Sequence, residues 1–282
     1  MSEQARYSWL NAVKGIVYPH VQVDERRRDE CFSGKWVVIT GASRGIGKAL
    51  AYRMIEAGAN LYLIARSKEE LQKIAADAEA RGCEVMYKAI DLRNRDALSC
   101  FCEELKEHLS SVDFVFCNAG KSIHRTIKDA AERLHDFDRT MELNYRSMVA
   151  LVLTLLPALQ RNEGTVVYSS SVSSLYPPAP GWSAYHASKC AANVWCETAN
   201  VEWGKMGVKV KVAYLPLVHT QMSDATVAYR EMPAYSAEEA ADILVKLSMS
   251  SRFSYKPWWA RLSAPVANAL SPVVRYFYKR KL

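Results

Sequence analysis

A chain of 282 residues, half of them hydrophobic, can bury a large core and suits one α/β domain better than two. Lys and Arg outnumber Asp and Glu by 37 to 30, a net charge of +7; with no nucleic-acid motif beside a dense basic run, nucleic acid is excluded and the excess suits an anionic cofactor, substrate or lipid. Seven cysteines without a C-x-x-C pair or a histidine partner at zinc spacing speak for reduced thiols in a cytoplasmic protein and against a metal site, and no apolar run reaches the ~18 residues that span a bilayer.

Residues 1–33 read as an N-terminal arm. Trp9, Leu10, Val13, Ile16 and Val17 recur at near-helical spacing, followed by Pro19 and the charged stretch from Asp24 to Glu30. Gly34 to Ile39 reads as a short buried strand, Thr40 to Gly47 as a glycine-rich turn, and Lys48 to Ala57 as an apolar-periodic helix. Five more β-type runs, from Asn60 to Ala65, Glu84 to Ala89, Phe114 to Cys117, Thr165 to Ser169 and Lys209 to Tyr214, are separated by longer helical patterns. Such alternation predicts an α/β fold over residues 34–250, a doubly wound parallel sheet of Rossmann type, with ligands beyond the carboxyl ends of its strands. Residues 251–282 differ: aromatic and aliphatic side chains from Phe253 to Tyr278 interleave with Arg and Lys. Such a tail either lies in a membrane interface or docks on the domain or a second subunit.

Two motifs carry the chemistry. In Thr40-Gly41-Ala42-Ser43-Arg44-Gly45-Ile46-Gly47 the glycines let the backbone approach a pyrophosphate, and the following helix offers its N-terminal N–H groups. In Tyr185-His186-Ala187-Ser188-Lys189 the tyrosine and lysine share one helical face. A free phenol titrates near pH ~10, and a neighbouring ammonium favours the phenolate. Tyr185 is therefore a candidate general acid tuned by Lys189. His186 faces about 100° away and reads as structural.

Together these motifs resemble the short-chain dehydrogenase/reductase family, as do Asp91-Leu92, Asn118-Ala119-Gly120, Asn144 and the serine cluster Ser169-Ser170-Ser171, all in the family's order from Gly34 to Leu247. The resemblance implies NADP(H)-dependent carbonyl reduction without a metal. It assigns Asn144, Ser171, Tyr185 and Lys189 to catalysis, Ser171 polarising the carbonyl and Asn144 holding a water that links Lys189 to solvent. Ser171 precedes Tyr185 by fourteen residues where thirteen is usual, so Ser170 and Ser173 remain competitors. To the cofactor it assigns Gly41, Ser43, Arg44, Gly45, Ile46, Gly47, Arg66, Asp91, Leu92, Asn118, Ala119, Gly120, Tyr185, Lys189, Pro216, Val218 and Thr220. Ala65-Arg66 stands where members preferring NAD end the second strand with Asp, and Arg44 adds a second cation, so NADPH is the expected cofactor. The family's habit implies a homodimer or homotetramer.

A finer resemblance lies in Asn118 to Arg125, His135 to Tyr145, Leu215 to Met222 and Ala237 to Asp242, which look like the bacterial branch containing long-chain fatty acyl-CoA reductases. It implies a lipid-like carbonyl substrate, a fatty acyl thioester or aldehyde, with a ketoreductase of 3-ketoacyl or 3-ketosphinganine lipids as the alternative. His124 and His219 stand where that branch has arginines, and Gln221 where it has proline. A non-catalytic NADP-binding protein or membrane-associated adaptor is the other class, against which intact Ser171, Tyr185 and Lys189 argue. The expected location is the cytoplasm, with peripheral contact at the inner membrane surface through the tail.

Overall fold

Apolar side chains in the strands alternate between two cores. Val37 and Ile39, like Leu61 and Leu63, pack into one buried cluster, while Val38, Tyr62 and Ile64 pack into another. Side chains of a strand point alternately to opposite faces, so strands buried on both sides need helices on both. The computed structural model describes residues 14–224 and 226–281; Trp9, Leu10 and Val13 of the expected arm lie outside them.

In chain order the elements are α1 (Glu25–Phe32), β1 (Trp36–Thr40), α2 (Gly45–Glu56), β2 (Asn60–Ala65), α3 (Lys68–Glu79), β3 (Val85–Ala89), α4 (Arg95–His108) and β4 (Phe114–Cys117). There follow α5 (Leu134–Met141), a π-helical turn (Glu142–Arg146), α6 (Ser147–Arg161), β5 (Thr165–Ser171), α7 (Ser183–Trp203), β6 (Lys209–Leu215), α8 (Ala237–Ser248), β7 (Ser254–Tyr255), α9 (Trp258–Ala269) and α10 (Ser271–Lys281). The sheet has seven strands in the order β3-β2-β1-β4-β5-β6-β7, every pair parallel. Helices α2, α3 and α8 contribute Leu50, Leu71 and Leu244 to one core; α4, α6 and α7 contribute Phe101, Leu155 and Cys196 to the other. The chain reverses direction across the sheet between β1 and β4, which opens a crevice beyond their carboxyl ends.

Three boundaries move from the sequence expectation. The charged stretch after Pro19 forms α1, capped by the Asp24 carboxylate accepting from the Arg27 N–H, and its last residue, Phe32, is fully buried, so α1 is anchored in the core. At the other end the sheet runs past residue 250: Val212 and Ala213 of β6 pair with Ser254 and Tyr255. A strand of two residues leaves no period to read. The tail beyond is two helices, α9 docking through buried Ala260 and Ala264. Helix α2 also begins inside the glycine turn, at Gly45 rather than Lys48.

Candidate active site

Beyond the carboxyl ends of the strands lies a cavity of about 850 Å³. Its first wall is the β1–α2 turn. Gly41 and Gly45 hold positive φ of 70° and 51°, a conformation that strains any side chain. Gly47 is required by space: a Cβ there would lie 2.2 Å from the Gly41 carbonyl oxygen. Arg44, at the N-cap of α2, makes no side-chain capping bond, which leaves the helix's first N–H groups for an anion. These features fit a dinucleotide pyrophosphate. Thr40 braces the turn from below, its hydroxyl accepting from the Asn118 and Ala119 N–H groups at 3.0 Å each.

Of the residues expected to hold the cofactor, Gly41, Ser43, Arg44, Gly45, Ile46, Arg66, Asp91, Leu92, Asn118, Ala119, Gly120, Tyr185, Lys189, Pro216, Val218 and Thr220 all line this cavity, and Gly47 sits beneath the turn. Arg66 is exposed at the end of β2. Asp91 is gripped by the Arg93 guanidinium, whose hydrogen bonds, with weaker attraction from Arg66, hold the carboxyl below its ordinary range. Arg44 donates to Gln221 at 2.6 Å, so the glutamine that replaces the branch's proline ties residues 216–223 to the glycine turn.

At the far end β5 and α7 bring the chemistry together. Ser171 and Tyr185 line the same cavity, and the Ser171 hydroxyl meets that of Ser173 at 2.8 Å. The Ser170 hydroxyl is engaged by the Asn193 side chain at 2.6 Å, although Ser170 lines the same cavity. Ser169 supplies its carbonyl to Lys189 Nζ at 2.7 Å, and its buried hydroxyl has no partner among the described residues.

The expected tuning of Tyr185 by Lys189 takes a different form. Burial raises the phenol's pKa, and interaction with Ser171 lowers it. Lys189 Nζ stands 5.9 Å from the Tyr185 ring centre and 4.7 Å from that of Tyr168, directing a hydrogen at Ser169 instead. Burial pushes this ammonium down to about 8. Asn144 is fully buried in the π-helical turn. Its amide accepts from the Lys121 N–H at 2.8 Å and donates to the Lys121 carbonyl and the Ser188 hydroxyl at 2.9 Å each; the hydrogen bonds of its side chain form a bracket between the β4 loop and α7, without reaching Lys189.

The substrate end is walled by side chains that sequence reasoning did not single out: Tyr176, Trp182, Tyr229, Met232 and, from α10, Tyr278. Trp182 stacks on Tyr229 with rings 6.1 Å apart and meets Tyr185 edge-on at 5.9 Å. An aromatic count along the chain reveals none of this, because the residues come from three separate segments. His124 packs against Trp182 at 4.7 Å, and His219 lies between Asp224 at 3.6 Å and the Met232 carbonyl at 3.0 Å. Both histidines brace the wall from behind. His186 is buried at its edge, where burial depresses its pKa.

The arrangement is a polar acid–base group at the junction of an anion-binding turn and an apolar pocket. A family model for short chain dehydrogenases matches residues 35–231. The chain is 39% identical over 217 residues to a fatty acyl-CoA reductase of Acinetobacter baylyi, covering 77% of this chain and 73% of that one. It is 35% identical over 214 residues to a fatty acyl-CoA reductase of Mycobacterium tuberculosis, covering 76% of this chain and 73% of the relative. A metagenomic short-chain oxidoreductase solved in complex with NADP superposes with a TM-score of 0.66 at 25% identity, over 78% of this chain and 93% of that one. With its glycine turn, its Ser171–Tyr185–Lys189 group and these matches, the chain belongs to the short-chain dehydrogenase family of oxidoreductases.

Proposed function

We propose that this protein is an NADPH-dependent reductase of a long-acyl-chain carbonyl, with a fatty acyl thioester or aldehyde as substrate. The observation that carries the reading is the joining of the Ser171–Tyr185 pair to an apolar wall of Tyr176, Trp182, Tyr229 and Met232 within one cavity. The named relatives favour a fatty acyl substrate. Gly41, Gly45 and the α2 N-terminus would hold the pyrophosphate, and Arg44 and Arg66 the 2′-phosphate. The bound cofactor supplies the hydride.

Ser171 and Tyr185 then donate hydrogen bonds to the carbonyl oxygen, where negative charge develops, and stabilising that charge is the main electrostatic task. Tyr185 delivers the proton to an aldehyde or ketone oxygen. With a thioester, addition of hydride at carbon gives a hemithioacetal that collapses to the aldehyde and expels the thiol, so no cysteine nucleophile is needed. Lys189, held against the Ser169 carbonyl, places its positive charge beside the phenol. We propose a homo-oligomer joined through α6 and α7, whose outer faces expose Leu153, Val194 and Val201, working in the cytoplasm.

The test is NADPH consumption by wild type and Tyr185→Phe with a long-chain acyl-CoA, the matching aldehyde and a long-chain 3-keto lipid in parallel, products identified by mass. Aldehyde or alcohol from the acyl-CoA, reduced about 10²–10⁴-fold in the variant with NADPH binding retained, is the expected result. Turnover of the 3-keto lipid alone would move the protein to the ketoreductase reading.

A further inference from the structure

Helix α9 is apolar on both sides. Its inward face is buried Ala260 and Ala264, and the docking is specific: Ser263 meets the Tyr176 hydroxyl at 2.6 Å, and the Asn268 amide donates to the Leu175 carbonyl at 2.7 Å. At about 100° per residue, Leu262 and Val266 lie about 200° round from Ala260 and Ala264 respectively. Trp258, Leu262, Val266, Leu270, Val273 and Phe277 continue that outward stripe over both helices, and each is 49–68% exposed. A helix packed by one face ordinarily turns polar side chains outward. A continuous exposed apolar stripe marks an interaction site.

The charge of the protein is concentrated here as well. Residues 251–282 contain seven Lys and Arg and no Asp or Glu, leaving 30 of the 37 basic side chains to balance the 30 acidic ones elsewhere. The whole formal excess of +7 therefore resides in the tail. A second copy pairing through this face would set two acid-free basic surfaces against each other, which repel. An anionic lipid surface offers the opposite charge and an apolar interior for the stripe. Among the described residues no helix is long and apolar enough to cross a membrane.

We infer that α9 and α10 form a docking surface for an anionic bilayer, lying in its interfacial plane with the stripe from Trp258 to Phe277 inserted and Arg261, Arg275, Lys279 and Arg280 at the headgroups. The same pair supplies Tyr278 to the wall of the cavity. The docked face and the substrate pocket are thus two sides of one helix. A lipid-like substrate enters from the bilayer beside Tyr278, a consequence that rests on the proposed lipid-carbonyl reading; the docking itself does not.

The test is flotation of the full chain with vesicles of phosphatidylglycerol and, separately, of phosphatidylcholine. The expected result is that wild type floats with the anionic vesicles, at least tenfold less with the neutral ones, and is released by salt. Leu262→Asp with Val266→Asp should lower flotation about tenfold or more while NADPH binding and the thermal transition hold. Arg275→Glu with Arg280→Glu should do the same by charge alone, without touching the apolar stripe. Wild type remaining with the lipid-free fraction, or a Leu262/Val266 variant that floats as wild type does, overturns the proposal. If wild type does not float and that variant sediments as a smaller species, the face is instead an interface between copies. Turnover supplies a separate arm: vesicle-borne long-chain substrate should lose about tenfold in the variant while a short soluble carbonyl is unaffected. Vesicle binding without turnover of any lipid would leave the docking standing and remove the substrate reading.

Discussion

The two ends of the cavity are built differently. The cofactor end is backbone: a turn whose glycines are fixed by φ at Gly41 and Gly45 and by a missing Cβ at Gly47, with a helix terminus behind it. The substrate end is long side chains, Tyr176, Trp182, Tyr229, Met232 and Tyr278, with Trp182 stacked on Tyr229. A site made of main chain fails when one methyl is added. A site made of aromatic rings yields and repacks.

Gly47→Ala should show the larger consequence of that difference. Its Cβ meets the Gly41 carbonyl oxygen at 2.2 Å, so the turn must open; we expect about 1–3 kcal/mol lost in urea unfolding and NADPH affinity lowered about 100-fold in a fluorescence titration. Unchanged cofactor affinity would show that the turn is not what holds the pyrophosphate. Arg66→Ala should leave stability alone and shift the NADPH to NADH preference, measured as the ratio of kcat/KM values, by about 10–100-fold, the worth of a hydrogen bond to a charged group. An unchanged ratio would leave Arg66 a solvated surface cation.

At the other end, Trp182→Ala should raise KM for a long-chain substrate by about tenfold, from ~1–2 kcal/mol of lost apolar contact, with a smaller rise for a short one and no change for NADPH. Loss of cofactor affinity instead would mean that the two ends are not independent. The smallest effect is expected from pH. In the proposed mechanism Lys189 acts as the ammonium, and burial brings its loss of a proton down to about 8 from 10.5. Rising pH therefore removes the charge, and kcat/KM, which reports the free enzyme, should halve near pH ~8 and fall further above it. A flat alkaline limb up to pH ~10 would show that the charge on Lys189 does not matter to the rate.

The same contrast explains what could be read in advance. Six strands, the sheet type and the glycine turn of Gly41–Gly47 were legible because spacing within a short segment dictates backbone shape, while Asp91–Leu92 and Asn118–Gly120 followed from the family resemblance alone. Tyr176, Trp182, Tyr229 and Tyr278 were not, since only the fold unites them, and β7 is too short to show a period. The positions of Asn144 and Lys189 were legible, but the direct partners were not. The Asn144 side chain bonds Lys121 and Ser188 from a π-helical turn, and nothing in Glu142-Leu143-Asn144-Tyr145-Arg146 announces that turn.

The stretch that leads into α1 is held by residues made long after it. The Tyr235 hydroxyl donates to the Pro19 carbonyl, Lys246 to that of Gln22, and the Trp258 and Trp259 indoles to those of Ile16 and Val17, across 216–242 residues of chain. Contacts so distant in sequence form slowly and after local ones. Residues 16–22 are therefore placed late, because the donors of these four hydrogen bonds follow them by 216–242 residues. Pulse-labelled hydrogen exchange during refolding should find the amides of the parallel strands protected before the Trp258 and Trp259 indoles.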